Sequence, residues 1–450
     1  MPRCKKSPIR LSDRFTYGRL IRFSLPSMGM MIFTSIYGVV DGFFVSNFAG
    51  KTPFAAVNLI FPLLMILSTV GFMFGTGGSA IVAKSFGLGD PKGARESFSL
   101  FVYIAMGLGI LFSVLGIVFL RPLTVLLGGE GELLECAVVY GRIILLALPF
   151  NILQVLFQSF FVTAEKPRLG FAVTLSAGVT NMVLDAVLVL LLPTEYKLIG
   201  AAVATAMSQV VGGAVPLLYF SRENSSLLRL GKTEFRRKVV RKACANGSSE
   251  FMSNISMNLV GMLYNIQLLK HAGENGVAAY GVMMYVSFIF AATFIGYSIG
   301  TAPIFGFHDG AGNLEELRSL LKKSLILTGI LGLAMVLLGE LLTVPLSALF
   351  VGYDPELMEL TASGFRIFVL SFPFMGYAIF ASGFFTALND GLTSALISFL
   401  RTLVFQVAAV LLLPLLWGID GIWASIIAAE LMAVLFSALF MVIKRKKFGY

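Results

Sequence analysis

The chain has 450 residues, of which 57% are hydrophobic and only 13% are Asp, Glu, Lys or Arg. That charged share is about half the usual one for a soluble domain. With a mean hydropathy of +0.88, it excludes a soluble globular protein and points to an all-α membrane protein with many spanning helices.

The formal net charge of +10 does not indicate a nucleic-acid partner, because the positions of the charges account for it. Cys4, Cys136 and Cys244 are scattered, and His271 and His308 lie far apart. Neither set offers a disulfide framework, a metal centre or a nucleophile cluster, so no enzyme activity and no cofactor are expected.

A crossing helix needs about 20 apolar residues. Residues 1–22 are basic and polar and read as a cytoplasmic tail, with the first span retained in the protein. Six spans follow, at 23–48, 54–83, 98–120, 137–163, 169–192 and 198–220. The polar segment "SRENSSLLRLGKTEFRRKVVRKA" then marks a linker over 221–242. Six more spans are expected at 243–269, 277–307, 324–350, 360–388, 392–416 and 421–443, before a basic tail at 444–450. The expected architecture is twelve transmembrane helices in two six-helix bundles, an N-lobe over 23–220 and a C-lobe over 243–443. With the N-terminus inside, 27 Lys and Arg fall on the inner side and 4 on the outer. The positive-inside rule then places both termini in the cytoplasm and the protein in the cell membrane.

The two bundles look like a duplication. At an offset of 223, "AGKTPFAAVN" (49–58) falls on "AGENGVAAYG" (272–281), "FGLGDPKGAR" (86–95) falls on "DGAGNLEELR" (309–318), and Pro122 falls on Pro345. One inserted residue later, "GRIILLALPF" (141–150) matches "FRIFVLSFPF" (365–374). Each half has six spans, an even number, so the repeats run the same way through the bilayer. Substrate paths in such transporters lie between the halves.

Ionisable residues inside spans are costly, so they are functional or paired. At about 1.5 Å per residue, Asp41, Asp185 and Thr205 each lie ~10 Å below the outer surface, on spans 1, 5 and 6. Asn181 is one turn from Asp185, and Tyr37 one turn from Asp41. Two nearby carboxylates in low dielectric cannot both stay ionised without a partner, so the pair can hold a proton at neutral pH. A Na⁺ ion could replace the proton, since Asp, Asn and Thr supply hard oxygen ligands. The second half lacks both acids: Asp41 aligns with Tyr264, and Asp185 with Ala408 or Ala409. The alternative for each acid is a private bond to a neighbouring helix.

Glu250 on span 7 either attracts a cationic substrate or bonds to nearby Ser and Asn. Arg401 and Glu430 are both ~14 Å deep and are expected to pair. Met30, Met283 and Met284 are candidates for an adaptable substrate cleft, against the alternative of ordinary packing. Pro26, with Gly29, is a candidate bend in a gating helix. There is no GxxxxGK[ST] phosphate loop, so an ion gradient is the expected energy source.

The sequence resembles the MATE (multidrug and toxic compound extrusion) family. The resemblance rests on "VVDGFFVSNFAGKTPFAAVNL", "GSAIVAKSFGLGDPKGA", "GTAPIFGFHDGAGN", "NMVLD", "GAAVATAMSQ" and "GIDGIWASIIAAEL", and covers nearly the whole chain. It implies two six-helix lobes around a central cleft, alternating access, and export of organic cations and other amphiphiles in exchange for H⁺ or Na⁺. The branch with an N-lobe cation site matches at Asp41, Asn181, Asp185 and Thr205. The branch with a C-lobe site uses a glutamate in span 7, which Glu250 matches, and an aspartate in span 10. Span 10 has no acid from Gly364 to Leu388, which puts a C-lobe Na⁺ site in doubt. The expected partners are the bilayer and small amphiphilic or cationic substrates, with the chain working as a monomer. A related lipid-linked oligosaccharide flippase would need several deep cations, and only Arg401 is deep. A major-facilitator transporter would fit the "GLGDPKGAR" loop, but its second copy "DGAGNLEELR" lacks the basic run.

Overall fold

The computed structural model describes residues 9–450. The first eight residues of the expected tail, Cys4 among them, lie outside the described residues. Helix α1 (Tyr17–Phe44) starts after Thr16, whose hydroxyl accepts the Arg19 N–H. It runs unbroken through Pro26 and widens into a π turn at Val45–Ala49. Helices α2 (Lys51–Gly87), α3 (Pro91–Leu126), α4 (Gly131–Thr163), α5 (Pro167–Leu191) and α6 (Lys197–Ser221) complete the first half. The 74-residue helix Arg237–Gly310 is broken at Gly273 (φ 61, ψ −151) into α7, residues 237–272, and α8, residues 274–310. Next come α9 (Leu314–Val351) and α10, whose pieces Pro355–Val369 and Phe372–Ala387 are bent by 49°. Helix α11 joins Gly391–Phe399 through a π turn at Leu400–Phe405 to Gln406–Leu412, and α12 is Pro414–Phe448, with a break near its start at Gly418 (φ 57, ψ −130).

Among the described residues ten helices are individually long and apolar enough to cross a membrane, and the bent α10 makes eleven. Since Gly273 divides the longest helix in two, twelve spans result. The helices outrun the expected spans: α1 begins inside the tail, α7 begins six residues inside the expected linker 221–242, and α12 continues to Phe448. A span count based on apolar residues sees only the part in hydrocarbon. Basic residues such as those at 237–242 form helix well in water, so the helices continue past the lipid.

Helices α2, α3 and α4 share one core, with Phe74, Phe98, Phe101 and Phe157 fully buried. A second core forms between α7, α8, α10 and α12 around Phe368, Phe372 and Trp423. A third joins the halves, packing Leu20 and Met30 of α1 with Tyr297 and Phe305 of α8. Backbone conformation repeats at the same spacing as the sequence. Gly50 (φ 109) and Gly273 (φ 61) are 223 residues apart, as are Gly89 (φ 77) and Gly312 (φ 67). Glu165 (φ 59) and Asn389 (φ 61) follow at 224, consistent with one inserted residue.

The loops around Glu165, Asp309 and Asp390 lie at one end of the bundle, the basic end, together with both described termini. There Lys84 of α2 pairs with Asp309 of α8 at 2.7 Å. Asn389 donates to the Ala80 carbonyl at 3.2 Å, and Asn246 donates to Asn389 at 2.8 Å. Gly77 of α2 abuts the backbone of Ala243 and Gly247, and Gly300 of α8 abuts Ser24 and Ser27 of α1. Residues 9–16 cross this end as a strap. The Leu11 N–H donates to Glu165 at 2.7 Å in the first half, and the Phe15 N–H donates to Glu316 at 2.9 Å in the second.

Candidate functional site

Asp41 sits on α1, one turn before the π turn at Val45–Ala49, where the Val45 N–H is shared between the Asp41 and Gly42 carbonyls. Such turns loosen the helical ladder and favour functional positions. Asn181 and Asp185, four residues apart, project from the inner face of α5 and are both buried. Thr205 reaches them from α6. The Asn181 amide donates to Thr205 Oγ1 at 3.4 Å, and Thr205 Oγ1 donates to Asp41 Oδ1 at 3.1 Å. The Asp41 and Asp185 carboxyls lie within reach of one another. The depth argument placed Asp41, Asp185 and Thr205 at one level with Asn181 a turn from Asp185, and the structure brings the four together. Tyr37 stands a turn away, beside Gln154 of α4 and Thr34.

The close approach of α1 to α5 depends on Gly178. A Cβ there would collide with the rings of Phe33 and Tyr37.

The site is short of donors. Both Asp185 oxygens and Asn181 Oδ1 are buried with no hydrogen-bond partner among the described residues. Unpartnered buried acceptors cost about 1–3 kcal/mol each, more when charged. A proton shared between the carboxyls, or a small cation among the four oxygen-bearing side chains, satisfies them. Among the described residues no group of three or more His, Cys, Asp and Glu could hold a metal ion.

The second half provides a built-in contrast. Tyr264, the counterpart of Asp41, bonds Ser425 of α12 at 2.6 Å, where Asp41 bonds Thr205 of α6. Tyr280 stacks on Tyr264 with centroids 5.0 Å apart. One helix contact is thus made with neutral hydroxyls in one half and with a carboxylate in the other.

Two neighbours of the site escaped sequence reasoning, Tyr140 and Gln154 on α4. Tyr140 is buried beside Thr205 and both carboxyls, and Gln154 fills the space left by Gly212 of α6. Span 4 carries several scattered polar residues, Arg142, Asn151 and Gln158 among them, so a hydroxyl and an amide within it do not stand out.

The other candidates lie elsewhere. Glu250 is on α7, with Arg401 the nearest opposite charge. Arg401 Nε donates to both carboxylate oxygens of Glu430, at 3.0 Å to Oε1 and 2.8 Å to Oε2, and Glu430 is fully buried. Met30 and Met283 are fully buried in packing cores, and Met284 is partly buried. Pro26 lies within the unbroken part of α1, and Gly29 packs against the ring of Phe171.

A model of the MatE family matches residues 26–187 and again residues 251–411, once in each half. The chain belongs to the MatE family. It is a membrane-spanning transporter and not an enzyme. The MatE chain is similar over 94% of its length to the multidrug export protein MepA of Staphylococcus haemolyticus (strain JCSC1435), at 23% identity and 92% coverage of that protein. MepA of Staphylococcus aureus (strain MRSA252) is 22% identical, over 96% of this chain and 93% of that one. Among solved structures, a multidrug resistance MATE family transporter of the MOP superfamily, in its outward-facing conformation, superposes with a TM-score of 0.90. It is 21% identical, with 97% of each chain covered. A MATE in complex with MaL6 gives 0.89 at 21% identity, covering 97% of this chain and 98% of that one. These likenesses place the fold: two six-helix bundles of the MATE type.

Proposed function

We propose that this MatE protein is a secondary antiporter that exports organic cations and related amphiphilic drugs in exchange for H⁺ or Na⁺. The observation that carries the reading is the set of unpartnered oxygens on Asp185 and Asn181, next to Asp41, in one half only. The similarity to MepA proteins, named for multidrug export, supports the class of cargo.

In this reading the basic end faces the cytoplasm, because the inner loops hold 27 Lys and Arg against 4 outside. The halves join at that end through Lys84–Asp309 and the glycine contacts, so the conformation described is sealed toward the cytoplasm. An ion entering from outside neutralises the Asp41–Asp185 pair, removing the repulsion between α1 and α5. That shifts the packing of α1, through its bond to Thr205 and by bending at Pro26, where the helix is unbroken in the conformation described, and releases cargo outward. The cargo lies between the halves, where Glu250 and Met284 supply charge and an adaptable surface. The chain carries this out as a monomer in the cell membrane.

The test is uptake of a fluorescent organic cation into inside-out vesicles, energised in turn by a pH gradient and by a Na⁺ gradient. Uptake driven by one of them supports antiport and names the ion. Uptake that needs neither gradient refutes it.

A further inference from the structure

His308, near the end of α8, is 1% exposed, and neither ring nitrogen has a hydrogen-bond partner among the described residues. A neutral imidazole carries one N–H donor and one acceptor nitrogen, and both go unmet here. Buried polar groups normally find partners, and nothing in the exchange site accounts for this exception. The ring packs edge-on against Phe307, with centroids 5.6 Å apart.

The strap at residues 9–16 covers it, with the Leu11 and Asp13 backbones beside the ring. Leu11 and Phe15 are each 1% exposed and pack into the core that joins the halves. The Leu11 N–H is bound to Glu165 in the first half, and the Phe15 N–H to Glu316 in the second. Lys323 of α9 also holds the Phe15 carbonyl. The strap is therefore a latch across the seam, and His308 is sealed beneath it.

We propose that His308 is an acid-operated release for this latch. Protonation puts a charge and a second N–H under a cover that bonds neither nitrogen, so the imidazolium is accommodated when residues 9–16 lift. The bonds to Glu165 and Glu316 then no longer tie the halves, and the basic end is free to open. The inference concerns the strap alone and stands whether or not Asp41 and Asp185 exchange an ion.

The surrounding charges set the sign. Burial holds His308 below the usual imidazole range, outweighing the Glu316 charge and the Asp13 and Leu11 backbones, which favour the charged ring. The other acids at this end are engaged. Asp13 accepts the Arg10 N–H and faces Arg19 at 3.6 Å, Asp309 pairs with Lys84 of α2, and Asp390 is held by Lys444 and Lys447. The latch is thus firm above the free imidazole value of about 6.5 and weakens as pH falls below it. Glu165 is the competing sensor, because burial raises its carboxyl.

The test is hydrogen–deuterium exchange over residues 9–16 of the purified full chain, corrected for the chemical rate at each pH. Between about pH 7.5 and about pH 5.5 the wild type is expected to lose protection by about fivefold or more, and H308Q to stay within about twofold. E165Q is expected to keep the wild-type loss. E316Q removes the charge that favours the imidazolium, so the midpoint of the loss should move to lower pH, which a merely structural role for His308 would not produce. Should H308Q fail to fold, E165Q and E316Q carry the test. Wild-type protection that is indifferent to pH would overturn the proposal. So would a loss that persists in H308Q, one that vanishes in E165Q, or a midpoint unmoved in E316Q.

Discussion

Gly87 and Gly310 stand 223 residues apart in the chain and press on each other's helices in space. Gly87 of α2 abuts the backbone of Phe307 and Ala311, and Gly310 of α8 abuts the backbone of Lys84. Neither position has room for a Cβ. The repeat thus builds its own seam, with each half supplying the glycine that the other half's helix needs.

A larger residue at this seam forces the basic end apart. Gly310→Val is expected to cost about 1–3 kcal/mol of the joined conformation, the usual price of overpacking. A cysteine placed at Asn246, buried at this end, should then react with a soluble thiol reagent about tenfold faster or more, after replacement of Cys4, Cys136 and Cys244. Unchanged reactivity would show that the seam does not hold the halves together.

Lys84→Ala leaves the Asp309 carboxylate, 10% exposed, without its cation. The lysine side chain is 31% exposed, so the loss is expected to lie near 1–2 kcal/mol, below that of a fully buried pair. A double-mutant cycle with Asp309→Asn should recover most of it. Additive losses would mean the two residues act separately.

Arg401→Met is expected to be the most destabilising of these changes, by about 3–5 kcal/mol, because Glu430 is fully buried and would keep an uncompensated charge. The double variant Arg401→Met with Glu430→Met should fold nearly as well as wild type. Thermal unfolding in detergent reads both. A mild effect of the single variant would show that Glu430 finds another partner.

Asp390 predicts a pH dependence. Burial pushes its carboxyl up, but hydrogen bonds from Lys444 and Thr393 and the charges of Lys447 and Lys444 outweigh that and hold it below the usual carboxylate range. A lowered folded pKa gives stability that is present above the unfolded value, about 3.9, and is lost as pH falls through the folded one. Asp390→Asn should therefore loosen the end of α12 at neutral pH. The difference from wild type should vanish in acid, as read by proteolysis at the basic tail. A difference that persists in acid would contradict this.

Most of the fold was legible in the chain because hydrocarbon sorts residues strictly. Twelve apolar runs gave twelve spans, and the residue offset gave the duplication that Gly50 and Gly273 repeat in backbone angle. Asp41, Asn181, Asp185 and Thr205 were legible because an ionisable or amide side chain stands out in an apolar run and its depth can be counted. Direction around a helix was harder to read. Met30 and Met283 turn into cores because hydrophobicity alone does not separate a cleft from packing. Tyr140 and Gln154 went unnoticed because their relation to the acids depends on how α4 packs against α1 and α6, which no local pattern records. The helix starts at Tyr17 and Arg237 lie outside the lipid, where apolar counting stops.

The central claim is that Asp41 and Asp185 together exchange a small cation for cargo. Its most direct test is gradient-driven export by Asp185→Asn and Asp41→Asn variants in inside-out vesicles, normalised to the amount of folded protein inserted. A neutral amide keeps the shape and removes the exchangeable charge, so each variant is expected to lose coupled transport by at least about tenfold while still binding cargo. Full gradient-driven export by both variants would contradict the account.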